Sequence, residues 1–181
     1  MRYTPHSTEA ELVQGCRSND RLAQKYLYQR FFGQMMGICM RYTGQHDEAV
    51  DVLNRAFLKV FNAIGQYEPT GRLGGWIAKI VFNTAIDYVR QQQPRTSELP
   101  PDMDVASIEP ESLEMLLAED VYALIQSLPS SNRAVFSLYY IDGYKHREIA
   151  EMLGININTC KWHLASAKKD LQQLLRLASE K

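Results

Sequence analysis

The stretch that decides the fold is Asp142–Leu175, DGYKHREIAEMLGININTCKWHLASAKKDLQQLL. Ile149, Ala150, Leu153 and Ile155 form an apolar face that changes element at Gly154. Ala150 is small where two helices have to approach closely. Gly154 follows Leu153, where a helix C-terminus takes a left-handed residue that glycine adopts without steric cost. Asn156 is placed to cap the next helix by accepting from the N–H of Asn158 or Thr159. That helix is expected to bury Cys160, Leu164 and Ala167 and to turn Asn158, Lys161, Trp162 and Ser166 outward. The pattern is a helix-turn-helix whose second helix fits a DNA major groove.

The rest of the chain reads helical as well. Leu22, Tyr26, Leu27, Phe31, Met35, Ile38 and Cys39 form one amphipathic stripe. Ala49, Val52, Leu53, Ala56, Phe57, Val60, Phe61 and Ile64 form a second, at three- and four-residue spacing. Trp76, Ile77, Ile80, Val81, Ala85 and Tyr88 form a third. Leu117, Val121, Leu124, Ile125 and Leu128 form a fourth, which Pro129 breaks. Ser130 or Ser131 is placed to cap the following helix, which carries Val135, Phe136, Leu138 and Tyr139. No strand alternation and no internal repeat is evident.

Two stretches break the helical pattern. Gly65–Gly75, GQYEPTGRLGG, holds four glycines and a proline. It is either a surface connection or a ligand-shaped loop. The second stretch contains Pro94, Pro100, Pro101 and Pro110 and reads as an extended interdomain linker.

Charge separates the same parts. The chain of 181 residues has a formal net charge of −1. Residues 1–93 carry 11 basic and 8 acidic side chains; residues 94–121 carry one basic and 8 acidic; residues 122–181 carry 8 basic and 5 acidic. Two weakly basic lobes thus flank a strongly acidic segment. Neither lobe neutralises enough phosphates to hold DNA tightly alone, so a partner supplying affinity is expected. No apolar run reaches the ~18 residues of a membrane span. The N-terminal stretch MRYTPHSTEAELVQ has no apolar signal region, so a cytoplasmic protein is expected. The three cysteines, Cys16, Cys39 and Cys160, form no close pair and fit a reducing compartment. Cys160 and His163 have half of a zinc spacing, but no second half is apparent. No nucleophile–base pair or phosphate-cradling glycine motif is present. No enzyme activity, cofactor, metal or small-molecule substrate is expected.

Three blocks resemble a bacterial sigma factor of the sigma-70 family, in its two-domain, extracytoplasmic-function form. DEAVDVLNRAFLKVFNAI (residues 47–64) is similar to the family's helix that docks on the polymerase clamp. GRLGGWIAKIVFNTAIDYVRQQQ (residues 71–93) is similar to the helix that faces promoter DNA. LPSSNRAVFSLYYIDGYKHREIAEMLGININTCKWHLASAKKDL (residues 128–171) is similar to the domain that reads the upstream promoter box. A helix-turn-helix alone is common to many regulators; the three blocks in this order are specific.

The resemblance implies an all-α chain. Residues 1–93 form a helical domain that docks on polymerase and holds the minus-10 element. Residues 94–113 form the acidic, proline-rich linker, and residues 114–181 form the helix-turn-helix domain reading the minus-35 element. It implies core RNA polymerase (clamp and flap regions) and double- and single-stranded promoter DNA as partners. An anti-sigma protein, which can hold such a factor at a membrane, is often among them. Docking falls to Asp47, Glu48, Asp51, Asn54, Arg55 and Phe57. A base of the opened strand is flipped into the loop near Asn62–Gly75, and unstacking it costs a few kcal/mol that a snug pocket offsets. The minus-10 contacts fall to Asn62, Tyr67, Arg72, Trp76, Lys79, Asn83, Asp87 and Arg90, with aromatic faces stacking on bases. The minus-35 contacts fall to Asn156, Asn158, Thr159, Lys161, Trp162, His163, Ser166 and Lys169. Lysine and asparagine are apt readers of guanine and adenine edges, while Lys168 and Lys169 suit phosphate. The chain departs from the family at Val50, Asn54 and Arg55 on the docking helix, at Phe82 and the RQQQ ending of the DNA-facing helix, and at Trp162. Two rivals remain at this level: a free-standing helix-turn-helix regulator, and a helical adaptor that binds only protein.

Overall fold

A computed structural model describes residues 3–69, 71–92 and 123–179, with side chains as far as residue 176. Among these residues every regular element is helical: α1 (Glu9–Arg17), α2 (Arg21–Tyr42), α3 (His46–Ala63), α4 (Leu73–Gln92), α5 (Ser130–Phe136), α6 (His146–Leu153) and α7 (Ile157–Ser179). A 3-10 turn, Ile64–Gln66, extends α3, and a π-helical segment, Ser137–Ile141, extends α5. The chain divides into two compact units, Met1–Ala85 and Ile86–Lys181, with the division inside α4. The linker assigned to residues 94–113, with Leu117 and Val121 of the fourth stripe, lies outside the described residues.

The first unit begins with a helix that the stripe pattern missed. Thr8 and Glu11 form a reciprocal capping box at the start of α1: Thr8 Oγ1 accepts from the Glu11 N–H at 3.3 Å, and Glu11 Oε2 accepts from the Thr8 N–H at 2.7 Å. Leu12, Val13 and Cys16 bury the inner face of α1. Asp20 caps α2 by accepting from the N–H groups of Leu22 and Ala23. The α1–α2 turn brings Gly15 so close to Ala23 and the Tyr3 ring that a Cβ at position 15 would collide with both.

The buried face of α2 runs through Ala23, Leu27, Phe31, Met35, Met36, Cys39 and Tyr42. This corrects the expected stripe by one position at its start: Leu22 points outward and is 44% exposed. The second stripe holds more closely, with Ala49, Val52, Leu53, Ala56, Phe57, Val60 and Ile64 all buried. On α4, Ile77, Val81 and Ala85 are buried, while Trp76, Ile80 and Tyr88 are half-buried at the edge of the face. The α4 helix meets α2 where Gly74 lies beside the Phe31 ring and where Phe82 stands edge-on to Tyr42, 5.8 Å between centroids. Fully burying each large apolar side chain of this core stabilises it by roughly 1.5–3 kcal/mol.

The second unit is built around α7. A helical turn at residues 123–126 precedes Pro129, and α5 starts immediately after it. The expected serine cap is not used. Pro129 holds the N-cap position with no side-chain cap bond, and its carbonyl accepts from the Arg133 N–H at 2.9 Å. Arg133 is itself buried, and its Nη1 donates to the carbonyls of Gln126 and Leu128. That cation meets the orphan acceptors at the end of the preceding turn, which lack intrahelical donors.

The π-helical segment turns Tyr139 onto His146 of α6, centroids 4.7 Å apart, and Tyr140 toward Lys168 of α7, whose Nζ lies 5.4 Å from the ring centre. Gly154 then ends α6 at φ 67°, ψ 32°, the left-handed geometry the sequence demands. Asn156 Oδ1 accepts from the Asn158 N–H at 2.8 Å, as its cap role requires.

Candidate polymerase and nucleic-acid interfaces

Three helix faces carry the residues singled out in the sequence. On α3, Asp47, Asp51, Asn54 and Arg55 are exposed and share one side of the helix, opposite the buried stripe. Glu48 is half-buried and serves the helix itself: its Oε2 accepts from the backbone N–H groups of Gly44 and Gln45, at 3.0 and 3.3 Å. Asn54 Oδ1 accepts from the Tyr28 hydroxyl at 3.0 Å, tying this face to α2. Phe57 is corrected as a docking residue. It is 2% exposed, packed edge-on against Tyr28 at 4.7 Å and against Phe61, so it offers no surface to a partner. Leu58 is 64% exposed on the same side as Asp51 and Asn54. The signal was legible, because an apolar residue out of phase with its own helix's core stripe has another use or none.

On α4, Trp76, Lys79, Asn83, Asp87 and Arg90 fall on one stripe by three- and four-residue steps, with Arg72 just before it. Arg72, Lys79, Asn83 and Arg90 are exposed, as is Asn62 at the end of α3; Trp76 and Asp87 are half-buried. Asp87 accepts from Arg90 at 2.8 Å, so the last turn of the stripe is an ion pair rather than two separate contacts. Tyr67 needs correction. It is 8% exposed; its ring lies 5.3 Å from Trp76 and its hydroxyl donates to the Gly71 carbonyl at 2.8 Å. Tyr67 shapes the loop from inside, which leaves Trp76 as the aromatic face still half-open to a ligand. Arg17, which sequence reasoning passed over with the rest of α1, donates from Nη2 to the Tyr67 carbonyl at 2.6 Å and from Nε to the Ile64 carbonyl at 3.5 Å. A cavity of about 400 Å³ lies between α1 and this loop, with Glu9, Gln14, Arg17, Tyr67 and Leu73 in its wall.

On α7, Asn158, Lys161, Trp162 and Lys169 share the outward arc, with Asn156 exposed just ahead of them. Cys160, Leu164, Ala167 and Leu171 face the core. Thr159, His163 and Ser166 fall on the flank between these two arcs. Thr159 is 4% exposed. His163 Nδ1 and Ser166 Oγ both meet the buried side chain of Asn132 on α5, at 2.8 and 3.0 Å. Asn132 also donates to Asp170 Oδ2 at 3.2 Å, so one amide fixes the rotation of α7. Trp162 is half-buried and stands edge-on to His163 with centroids 4.9 Å apart, which props its ring at the rim of the outward face.

Electrostatics match this division. Burial lowers the His163 pKa from its ordinary value. His146 is lowered by burial first and then by the charges of Lys161 and Lys168, which places a cationic group at the junction of α6, α7 and the π-helical segment. The thiols of Cys16, Cys39 and Cys160 are pushed up by burial to about 11, 12 and 11, the Asp20 carboxylate adding to the effect at Cys16. At neutral pH such buried sulfurs are held as thiols. Among the described residues no helix is long and apolar enough to cross a membrane.

The family model described as Sigma-70 region 2 matches residues 27–95, and that described as Sigma-70, region 4 matches residues 118–171. The chain is 27% identical to the ECF RNA polymerase sigma-E factor of Escherichia coli (strain K12), over 90% of this chain and 91% of that protein. It is 29% identical to the ECF RNA polymerase sigma factor SigE of Mycolicibacterium smegmatis, over 76% of this chain but 56% of that longer protein. Among solved structures, the sigma factor RpoE in complex with the anti-sigma factor NepR, from Bartonella quintana, is 19% identical, covering 84% of this chain and 96% of that one, with a TM-score of 0.45. CnrH in complex with the cytosolic domain of CnrY is 17% identical, covering 92% and 96%, with a TM-score of 0.43. With the two region models together spanning most of its length, in the family's order, the chain belongs to the sigma-70 family of RNA polymerase sigma factors, in the two-domain extracytoplasmic-function type built from regions 2 and 4.

Proposed function

We propose that this chain binds core RNA polymerase and directs it to a set of promoters, with residues 1–93 engaging polymerase and the minus-10 element and residues 114–181 reading the minus-35 element. The polymerase does the chemistry; this chain supplies specificity and is not an enzyme. One observation carries the reading: the two matched regions each present an exposed polar stripe, Lys79–Asn83 on α4 and Asn158–Lys161–Lys169 on α7. Both stripes hold few cations, which suits a reader that borrows most of its affinity from a larger complex. The flipped base of the opened strand is assigned to the loop near Asn62–Gly75, with Trp76 as its stacking face. Core docking is assigned to the Asp47–Asp51–Asn54–Arg55 side of α3, with Leu58 added. An anti-sigma protein covering these faces, and a place in the cytoplasm, complete the proposal.

The test is transcription in vitro from fragmented genomic DNA with core polymerase, with and without this chain. Discrete new start sites that require the chain are expected, and they deliver both promoter boxes. In gel shifts, specific binding is expected only with core polymerase present. Tight specific binding by the isolated chain, or no new start site on any template, overturns the reading.

A further inference from the structure

The loop between α3 and α4 is held from a helix outside the three family blocks. Arg17, the last residue of α1, directs its guanidinium at the carbonyls of Ile64 and Tyr67, with Nη2 to Tyr67 at 2.6 Å and Nε to Ile64 at 3.5 Å. These carbonyls sit where α3 and its 3-10 extension run out. The Ile64 carbonyl also accepts from the Tyr67 N–H at 3.3 Å, and the Tyr67 carbonyl lies just past the last turn; both carry the negative end of the helix dipole, which a cation there offsets. The planar fork of arginine reaches two acceptors at once, which an ammonium cannot do in the same fixed geometry.

Tyr67 is consequently fixed at three points. Arg17 holds its main chain, the Gly71 carbonyl accepts from its hydroxyl, and Trp76 lies against its ring. Gly65 lies in the 3-10 turn and Gly71 just before α4, so the shape of the connection depends on such ties. The cavity of about 400 Å³ is the space left between this anchored loop and α1.

We propose that Arg17 is a positioning residue for promoter opening: by gripping the Ile64 and Tyr67 carbonyls it sets the loop in the shape that receives an unstacked base of the opened strand. The inference rests on the sigma-factor reading above. Arg17 touches no base; it acts through Tyr67 and, behind it, Trp76.

The experiment uses the full chain with core polymerase on one promoter recovered in the genomic transcription assay. Three further templates carry the other bases at the minus-10 position that the wild-type chain discriminates most. The wild-type spread of initiation rates across the four is expected to be roughly tenfold or more. Arg17→Ala is expected to narrow it to about twofold, with the yield of core complex unchanged in a pull-down, because a loosened loop still docks but no longer selects. Arg17→Lys is expected to fall between them, since it restores the cation and not the fork. A uniform loss on all four templates, tracking a lower melting temperature, means α1 glue only and overturns the proposal. So does an unchanged spread in both variants. Where Arg17→Ala melts below the assay temperature, Arg17→Lys carries the decision by the same criteria. Absence of transcription with the wild-type chain is a different failure, that of the sigma-factor reading itself.

Discussion

His163 Nδ1 lies 2.8 Å from Asn132 Oδ1, and this contact selects the tautomer of the neutral ring. Asn132 uses its amide hydrogens on Ser166 and Asp170, so its oxygen faces the imidazole and Nδ1 is the donor. Helix α7 is therefore keyed to α5 by one buried amide as well as by apolar packing. Asn132→Ala removes three bonds and strands His163 and Asp170 without their partner. The expected cost is about 2–3 kcal/mol, since each lost bond contributes about 1 kcal/mol and the orphaned groups add a desolvation penalty. Denaturant unfolding of the C-terminal unit, followed by Trp162 fluorescence in a Trp76→Phe background, measures it.

The same histidine makes the C-terminal unit acid-sensitive. Burial lowers the His163 pKa, and burial with Lys161 and Lys168 lowers that of His146. Below the ordinary histidine pKa the unfolded chain takes up protons that the folded unit refuses, so unfolding is favoured there. Stability is full above about pH 6.5 and falls as the pH drops below that value. Melting midpoints from about pH 7.5 down to 5.5, read by Trp162 fluorescence as above, are expected to decline in the wild type. In His163→Gln the decline is expected to be shallower, and an equal decline in both would place the effect elsewhere.

Two helical glycines are expected to respond in opposite directions to alanine. Gly15 sits where a methyl group meets Ala23 and Tyr3, whereas a Cβ at Gly33 in the middle of α2 meets nothing within 4 Å. Gly15→Ala is expected to cost roughly 1–3 kcal/mol by overpacking the α1–α2 contact. Gly33→Ala is expected to gain about 0.5–1 kcal/mol through reduced backbone entropy in the unfolded chain and better helix propensity. Thermal unfolding of the two variants beside the wild type checks both signs.

Lys161 and Lys169 share the outward arc of α7 but are assigned different tasks. Lys161→Ala is expected to lose roughly 1–3 kcal/mol of promoter affinity in the polymerase complex and to relax the preference at one base pair of the upstream box. Lys169→Ala is expected to weaken all promoters alike and to lower the salt slope by about one. Competition binding over single-base promoter variants separates the two patterns.

The helices and their inner faces were legible from periodicity wherever a stripe was long, as in α3 and α4. The errors lie at stripe edges. Leu22 is apolar but adjoins Asp20, whose cap role starts the helix and sets Ala23 inward. Helix α1 is only nine residues and presents too few apolar positions for a stripe; its legible sign was the Thr8–Glu11 capping box. On α7, composition separated inside from outside but could not resolve the flank. His163 and Ser166 are polar, which reads as outward, yet Asn132 on α5 is a buried polar partner for both. Partnerships such as Arg17 with the Ile64 and Tyr67 carbonyls join residues about fifty positions apart and involve a backbone acceptor that every residue carries, so no residue pattern announces them.

The buried thiols give the chain built-in reporters of its own breathing. Cys16 and Cys39 lie in the first unit and Cys160 in the second, all silent at neutral pH while the helices around them stay closed. A maleimide can capture each sulfur only during an opening of its own unit, so labelling rates read two local opening free energies from one unmodified sample. Comparing those rates with and without core polymerase then tells which half of the factor the enzyme steadies first.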